Sequence, residues 1–289
     1  MFQFFANIFG YLLDIINQFV NNYGLAIILF TAIIKLIMLP LSIKQQRSMK
    51  KNAELQEKLK VIQFKYKNDP EKLNKETMDL YKQEKMSPFS GCFSAIIQFI
   101  LLISIFYMVR FPLTYMEKVD KTKIDTYTQQ IKDAGIDVSQ AYSEIDIIRE
   151  IDFLRENNPE DETLKNININ MNFLGLDLSK IPQQNLADWT VYIIPILYIL
   201  STFVSMRLTT SMQNTNKDKK ELTDGENKET ERNEMEDAMA QSNKMMSWMM
   251  PIMSVSISLV APLGLALYWL VNNILMIGER LVLNKVVKD

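Results

Sequence analysis

Charged residues are almost absent from four long stretches of this sequence. Residues 24–41, 89–109, 189–206 and 245–275 carry a single charged side chain between them, that of Lys35. An α-helix rises 1.5 Å per residue, so about 20 apolar residues cross the roughly 30 Å hydrocarbon core of a bilayer. The sequence therefore predicts an all-α integral membrane protein.

The apolar stretches predict five membrane-spanning helices. The last stretch is too long for one crossing and is interrupted at Pro262 and Gly264, so it is interpreted as two shorter spans. In chain order the predicted spans are residues 23–41, 89–110, 189–208, 245–262 and 263–283.

Residues 1–22 are predicted to form an amphipathic helix that lies in the membrane interface. On a helical wheel its Gln, Asn and Asp residues share one side, and its aromatic and aliphatic residues spread over the other. No basic residue precedes Lys35 and no small-residue cleavage pattern follows, which argues against a cleaved signal peptide. The alternative is a helix packed on a soluble core.

The distribution of lysine and arginine predicts the orientation. Residues 42–88 contain twelve Lys/Arg and seven Asp/Glu, whereas residues 111–188 contain eight Lys/Arg and fifteen Asp/Glu. Because cytoplasmic loops are enriched in Lys and Arg, the first segment is expected inside and the second outside. The N-terminus is then outside. Residues 209–244, a highly charged run, and residues 284–289 are expected to be a flexible cytoplasmic loop and a short cytoplasmic tail.

The cytoplasmic segment 42–88 is predicted to be an antiparallel helical hairpin. Its apolar residues recur at helical spacing on both sides of a turn, and Asp69 and Pro70 suit the start of the second helix. The hairpin is basic, and its predicted contacts with lipid headgroups, ribosome or substrate are Lys50, Lys51 and Lys58. The alternative is a solvated connector.

Lys35 is the principal candidate site residue. A cation near the middle of a spanning helix costs about 2.5 to 3.5 kcal/mol on insertion scales, so it is expected to face a polar cavity. Asp14 is predicted at the far interface and Glu279 near the inner end of the last span, so neither is expected to neutralise Lys35. An unpaired lysine at this depth predicts a hydrated groove.

Polar residues at helical spacing are the other candidates for this groove. They are Thr31, Ser94, Gln98, Ser201 and Ser205. Serines in membrane helices also serve in helix packing, which is the alternative for each of them. Met245, Met249 and Met253 are predicted to form an adaptable apolar contact surface for substrate at the groove entrance. Their alternative role is to fill the core or to face lipid.

The composition excludes several chemistries. The chain has no histidine and one cysteine, which excludes His-based triads, His-type zinc sites and CxxC redox or metal sites. Two other functions remain open. A small transporter or channel could use Lys35 as an ion or substrate site, and an intramembrane hydrolase could pair Lys35 with Ser94 or Ser254.

Several motifs, in order, resemble the YidC family of membrane protein insertases. Lys35 is followed by Leu39-Pro40-Leu41, and Gly91-Cys92 precedes Gln98. The remaining motifs are Tyr23 to Ile28, Tyr66 to Lys72, Phe173 to Leu178 and Pro262 to Trp269. The resemblance covers nearly the whole chain except residues 113–168 and 209–244.

The resemblance implies five helices around a hydrophilic groove that is open to cytoplasm and lipid and closed to the outside. It implies a bacterial plasma-membrane insertase and chaperone that acts on nascent membrane proteins. No cofactor, catalytic activity or nucleic-acid substrate is implied. The partners implied are membrane lipids, the ribosome and a Sec-type translocon, and the unit is expected to be a monomer. The family carries arginine where this chain has Lys35, and by the same comparison Gln98 and Trp269 are groove residues.

Overall fold

The computed structural model describes residues 2–67, 69–84, 90–218 and 255–286. Most of these residues are helical, and residues 255–260 form a further helical segment. The helices are α1 (Phe2–Val20), α2 (Tyr23–Lys65), α3 (Pro70–Gln83), α4 (Ser90–Arg110), α5 (Pro112–Tyr115), α6 (Lys121–Asp133), α7 (Ser143–Arg149), α8 (Ile151–Asn157), α9 (Glu162–Asn166), α10 (Ile193–Asp218) and α11 (Leu263–Val286). Strands β1 (Asn172–Phe173) and β2 (Leu176–Asp177) pair antiparallel, and 3-10 turns lie at Pro182–Gln184 and Trp189–Tyr192.

Three of the described helices are long and apolar enough to cross a membrane. They are Tyr23–Ser48, Trp189–Leu208 and Leu263–Leu283, and Ile96–Arg110 is a shorter apolar helix. These four occupy the positions of the first, third, fifth and second predicted spans. Residues 245–254, which begin the predicted fourth span, lie outside the described residues. The count of five spans therefore stays a prediction.

Helix α2 continues from the first predicted span into the segment of residues 42–88 without a break. It covers Tyr23–Lys65 and includes Pro40, whereas the sequence suggested a boundary at residue 41. Proline removes one intrahelical hydrogen bond, but the Lys, Gln, Glu and Leu residues that follow favour helix and extend it. The start of α2 is fixed by Asn22, whose side chain accepts a hydrogen bond from the Leu25 N–H at 3.0 Å.

The C-terminal part of α2 folds against α3. Leu55 and Leu59 of α2 and Leu80 of α3 are buried together. The Asp69 side chain accepts the Lys72 N–H at 3.1 Å, and Pro70 occupies the first turn of α3, as the sequence predicts. Helices α2 and α3 thus form a helical hairpin, whose location in the cytoplasm stays a prediction.

Residues 111–188 share one hydrophobic core with α1, α2 and α4. Two stretches of this segment, residues 121–133 and 139–157, look helical in the sequence. The first is α6, whereas the second is divided into α7 and α8. Buried Glu144 accepts hydrogen bonds from the Thr114 N–H at 2.9 Å and its hydroxyl at 2.6 Å. Burial raises the pKa of the Glu144 carboxyl, and the hydrogen bonds from Thr114 and Leu113 oppose that shift.

Helix α1 packs into the same core and also exposes apolar residues. Its buried face is formed by Ala6, Phe9, Gly10, Leu13, Ile16 and Asn17. Its exposed apolar residues are Phe2, Phe4, Ile8, Tyr11 and Phe19. The apolar residues thus occupy two faces of α1, one packed in the protein core and one exposed. Its predicted position in the membrane interface stays a prediction.

Candidate functional site

The starts of two long apolar helices are aligned by the segment of residues 111–188. The Tyr23 N–H at the start of α2 donates to the Asn170 carbonyl at 3.0 Å. At the start of α11, the N–H groups of Leu263 and Gly264 donate to the Lys180 and Leu178 carbonyls, each at 2.9 Å. Both helices therefore begin against the same 111–188 segment and run in the same direction.

This alignment brings the charged residues of the two helices to similar depth. Lys35 lies about 18 Å along its axis from Tyr23, and Glu279 lies about 22 Å along its axis from Gly264. An ideal Cβ on Gly264 would lie 3.4 Å from the Tyr23 ring, so these two starting points are level. The remaining difference of about 4 Å is within the length of a lysine side chain.

Lys35 and Glu279 form an ion pair. The Lys35 Nζ lies 3.3 Å from the Glu279 Oε2, and the two side chains are 22% and 13% exposed. The expectation that Lys35 has no neutralising carboxylate is wrong. That expectation placed Glu279 near the inner end of the last span, too far from Lys35. The side-by-side alignment of α2 and α11 instead brings the Glu279 carboxylate within reach of the Lys35 side chain.

The pair leaves part of the Glu279 carboxylate unsatisfied. Its Oε1 is buried and has no hydrogen-bond partner among the residues that the structure describes. A carboxylate can accept about four hydrogen bonds, and a buried one without partners is destabilising. Glu279 is therefore held by one ordinary-length contact to Lys35 and keeps an acceptor available.

A second polar contact joins α11 to α10. Buried Asn273 donates through Nδ2 to the Ser201 hydroxyl at 2.9 Å and to the Thr202 hydroxyl at 3.2 Å. One turn earlier, the Trp269 ring lies 6.3 Å from the Tyr198 ring. Helix α11 thus contacts α2 through Glu279 and α10 through Asn273 and Trp269.

The other predicted groove residues are distributed over several surroundings. Thr31 is buried and donates its hydroxyl hydrogen to the Ile27 carbonyl of the same helix at 2.6 Å. Gln98 is exposed on α4, and Ser205 is buried on α10. The structure therefore places Ser201 of α10 and Trp269 of α11 at the contact between these two helices, and it leaves Gln98 on the surface. The Ser94 side chain lies outside the described residues.

The predicted partner-contact residues are placed only in part. Lys51 and Lys58 are exposed on α2, and Lys58 forms an ion pair with Glu84 across the hairpin. Two further hairpin lysines are paired with Asp69 and Asp79. The hairpin surface is thus less positive than its lysine count suggests. The Lys50 side chain and Met245, Met249 and Met253 lie outside the described residues.

The starts of α2 and α11, the end of α4 and the 111–188 segment enclose a small cavity of mainly apolar character. Its lining includes Tyr23, Val109, Tyr142, Met171, Pro262 and Leu265. Arg110 also borders it, with its guanidinium 4.8 Å from the Phe111 ring centre and 5.6 Å from the Tyr142 ring centre. Arg110 Nε donates to the Ala141 carbonyl at 2.6 Å. This arginine therefore stabilises the junction between α4 and the 111–188 segment.

Sequence reasoning missed Asn273 and the pairing role of Glu279. Asn273 follows Trp269 by four residues, the spacing that places two side chains on one helix face, and that signal was present in the sequence. Glu279 could have been found by counting residues along both helices from their first residues, Tyr23 and Leu263. The count requires that the two helices start level, which the sequence does not state.

Apolar helices of spanning length that surround a paired lysine and glutamate define an all-α membrane protein. The chain belongs to the 60Kd inner membrane protein family, which it matches over residues 15–289. The resemblance noted from the sequence motifs is thereby confirmed.

Two relatives carry the description "Membrane protein insertase YidC". The protein from Caldanaerobacter subterraneus subsp. tengcongensis is 45% identical over 101 residues, which is 35% of this chain and 49% of the relative. The protein from Francisella tularensis subsp. novicida is 45% identical over 109 residues, which is 38% of this chain and 20% of the relative. The chain thus matches about half the length of the first relative and a fifth of the second.

Proposed function

We propose that this protein is an insertase that transfers nascent membrane proteins from the cytoplasm into the bilayer. The observation that carries the proposal is the partly exposed Lys35–Glu279 pair among apolar helices, in a chain whose relatives are described as insertases. Charged side chains are retained inside membrane helices where they face water or a partner, and they mark paths for polar substrates.

In this proposal the five predicted helices enclose a hydrophilic groove that is open to cytoplasm and lipid. The 22% exposure of the Lys35 side chain supports access from one side. The backbone hydrogen bonds at the starts of α2 and α11, with the packed outer segment, support closure on the other. Lys35, Ser201, Ser205, Thr31, Ser94, Gln98 and Trp269 remain the proposed groove residues.

The mechanism is differential solvation. A hydrophilic tail crossing hydrocarbon exposes unsatisfied peptide groups, and a wet half-channel shortens the apolar distance that the tail must cross. Lys35 attracts acidic residues of the tail, and the substrate's apolar segment then leaves the groove into lipid. Burial of that segment supplies the free energy, at about 25 cal/mol per Å² of apolar surface.

The proposed orientation places the N-terminus and residues 111–188 outside and the C-terminus in the cytoplasm. The hairpin of α2 and α3 then faces the ribosome, a Sec-type translocon or an emerging substrate, and its exposed Lys51 supports a contact with acidic partners or lipid headgroups. The proposed functional unit is a monomer that uses no cofactor.

Crosslinking from the groove to ribosome-held nascent chains tests this function. A photoreactive residue at position 35 or 98 is expected to crosslink a nascent membrane protein. Leu36 is the matched control because it adjoins Lys35 on α2 but is 68% exposed on another face of the helix. Crosslinking from position 36 that equals or exceeds that from positions 35 and 98 would contradict a substrate path along this face.

Deletion of residues 50–85 is expected to impair insertion while the protein stays in the membrane, because the deleted segment lies outside the spans. Insertion is measured by protease protection of a single-span substrate, and membrane retention by carbonate extraction. The Lys51→Gln, Lys58→Gln double variant removes two positive charges from the hairpin but retains its buried leucines. It therefore tests the contribution of the charges while the packing of the hairpin is kept. Full activity of the deletion variant would reduce the hairpin to a connector.

A further inference from the structure

The geometry of the Lys35–Glu279 pair is that of an exchangeable contact. It consists of one 3.3 Å approach to Oε2, and the second carboxylate oxygen is buried without a partner among the described residues. Strong carboxylate pairs are shorter, often bidentate and fully hydrogen-bonded. Both side chains also retain some exposure, so another charged group can approach them.

We propose that Glu279 determines substrate specificity by competing with acidic residues of the substrate tail for Lys35. This inference rests on the proposed insertase function. In the resting protein Glu279 is paired with the Lys35 ammonium, so this lysine is not free to bind a tail; Arg280, the next residue of α11, also interacts electrostatically with the Glu279 carboxylate. A tail carboxylate binds Lys35 by displacing Glu279, and the interaction is an exchange of one carboxylate for another.

An exchange has a different charge dependence from capture by a free cation. A free lysine attracts a tail with a single acidic residue almost as readily as a longer acidic run. When Glu279 must be displaced, a single substrate carboxylate replaces one Lys35–carboxylate contact with another of the same kind. The exchange then gains little free energy, because only a difference in affinity between the two contacts shifts the binding equilibrium. Several acidic residues raise the local concentration of competitors and favour the exchange.

The displaced Glu279 also has a defined use in this scheme. Displacement releases Oε2 from Lys35, and a carboxylate that leaves its buried position can then accept hydrogen bonds from the peptide N–H groups of a passing tail through both oxygens. The two residues thus bind different groups of the same substrate tail. Lys35 on α2 binds its carboxylates, and Glu279 on α11 accepts hydrogen bonds from its backbone N–H groups.

The experiment uses the full-length protein reconstituted in lipid vesicles. Single-span substrates with identical spans and tails bearing no aspartate, a single aspartate or a run of aspartates are offered, and insertion is measured by protease protection. Glu279→Gln is expected to raise the ratio of single-aspartate to neutral insertion by about three- to fivefold, the range of a weakly held ion pair. Glu279→Asp, whose shorter side chain lengthens the contact, is expected to give an intermediate ratio.

Glu162→Gln is the matched control. It removes one negative charge and one lysine partner, but in the exposed pair with Lys165, where the Glu162 side chain is 78% exposed. Its ratio is expected to equal that of the wild type. An equal rise in Glu162→Gln would assign the effect to net charge and would overturn the proposal for Glu279.

The outcomes separate this inference from the proposed function. An unchanged ratio in membrane-integrated Glu279→Gln overturns the competition by Glu279. If that variant does not accumulate in the membrane, Glu279→Asp decides by the same ratio. If Lys35→Ala inserts neutral and acidic tails as the wild type does, the electrostatic part of the proposed function fails. If Lys35→Ala changes the insertion of acidic tails but Glu279→Gln does not, only the proposed competition by Glu279 is contradicted.

Discussion

Lys35→Glu is expected to stop insertion of single-span substrates with acidic outer tails, with a loss of about tenfold or more. The variant places a carboxylate where Glu279 already approaches within 3.3 Å of the present cation. Two carboxylates repel each other there, and together they repel an acidic tail. Insertion is measured by protease protection in cells or vesicles, with the amount of membrane-integrated variant determined in parallel.

Lys35→Arg is the conservative comparison for this prediction and is expected to retain insertion. Arginine keeps the positive charge and adds a planar fork that binds a carboxylate through two hydrogen bonds. Lys72→Glu is the matched reversal outside the site, since Lys72 pairs with Asp69 but its side chain is 67% exposed. Normal insertion of acidic-tailed substrates by Lys35→Glu would show that the electrostatic mechanism is wrong.

Gly10→Ala is expected to destabilise the protein by about 1–3 kcal/mol, the usual range for overpacking. A Cβ at Gly10 would overlap the backbone carbonyl of Tyr115, where α1 crosses α5. Backbone atoms held in α5 have no rotamer with which to relieve the overlap, so the two helices must separate. The thermal unfolding midpoint in detergent is expected to fall below that of the wild type.

Gly278→Ala provides the control for this stability prediction. Gly278 lies in α11, and a Cβ there would meet no described atom within 4 Å. The substitution is expected to stabilise the helix by about 0.5–1 kcal/mol, because alanine has the higher helix propensity. If both alanine variants raise the unfolding midpoint, the close approach of α1 and Tyr115 does not limit stability.

The local features of the fold were accessible from the sequence because they depend on neighbouring residues. Asp69 followed by Pro70 predicted the start of α3, and the spacing of Leu55 and Leu59 predicted the buried face that meets Leu80. The division of 139–157 into α7 and α8 was missed. The bonds from Thr114 to Glu144 join residues 30 positions apart, so no local pattern indicates them.

The candidate site likewise combines features that the sequence predicts with a contact that it does not predict. The sequence alone determined that the chain is a helical membrane protein, that Lys35 lies within an apolar span, and that the motifs are those of the YidC family, because hydropathy and residue order are properties of the chain itself. Only the tertiary structure decided that Lys35 is paired. The pair requires α2 and α11 to start level. That register is set by the 111–188 segment, because its Asn170, Leu178 and Lys180 carbonyls accept hydrogen bonds from the two helix starts, which lie far from them in sequence.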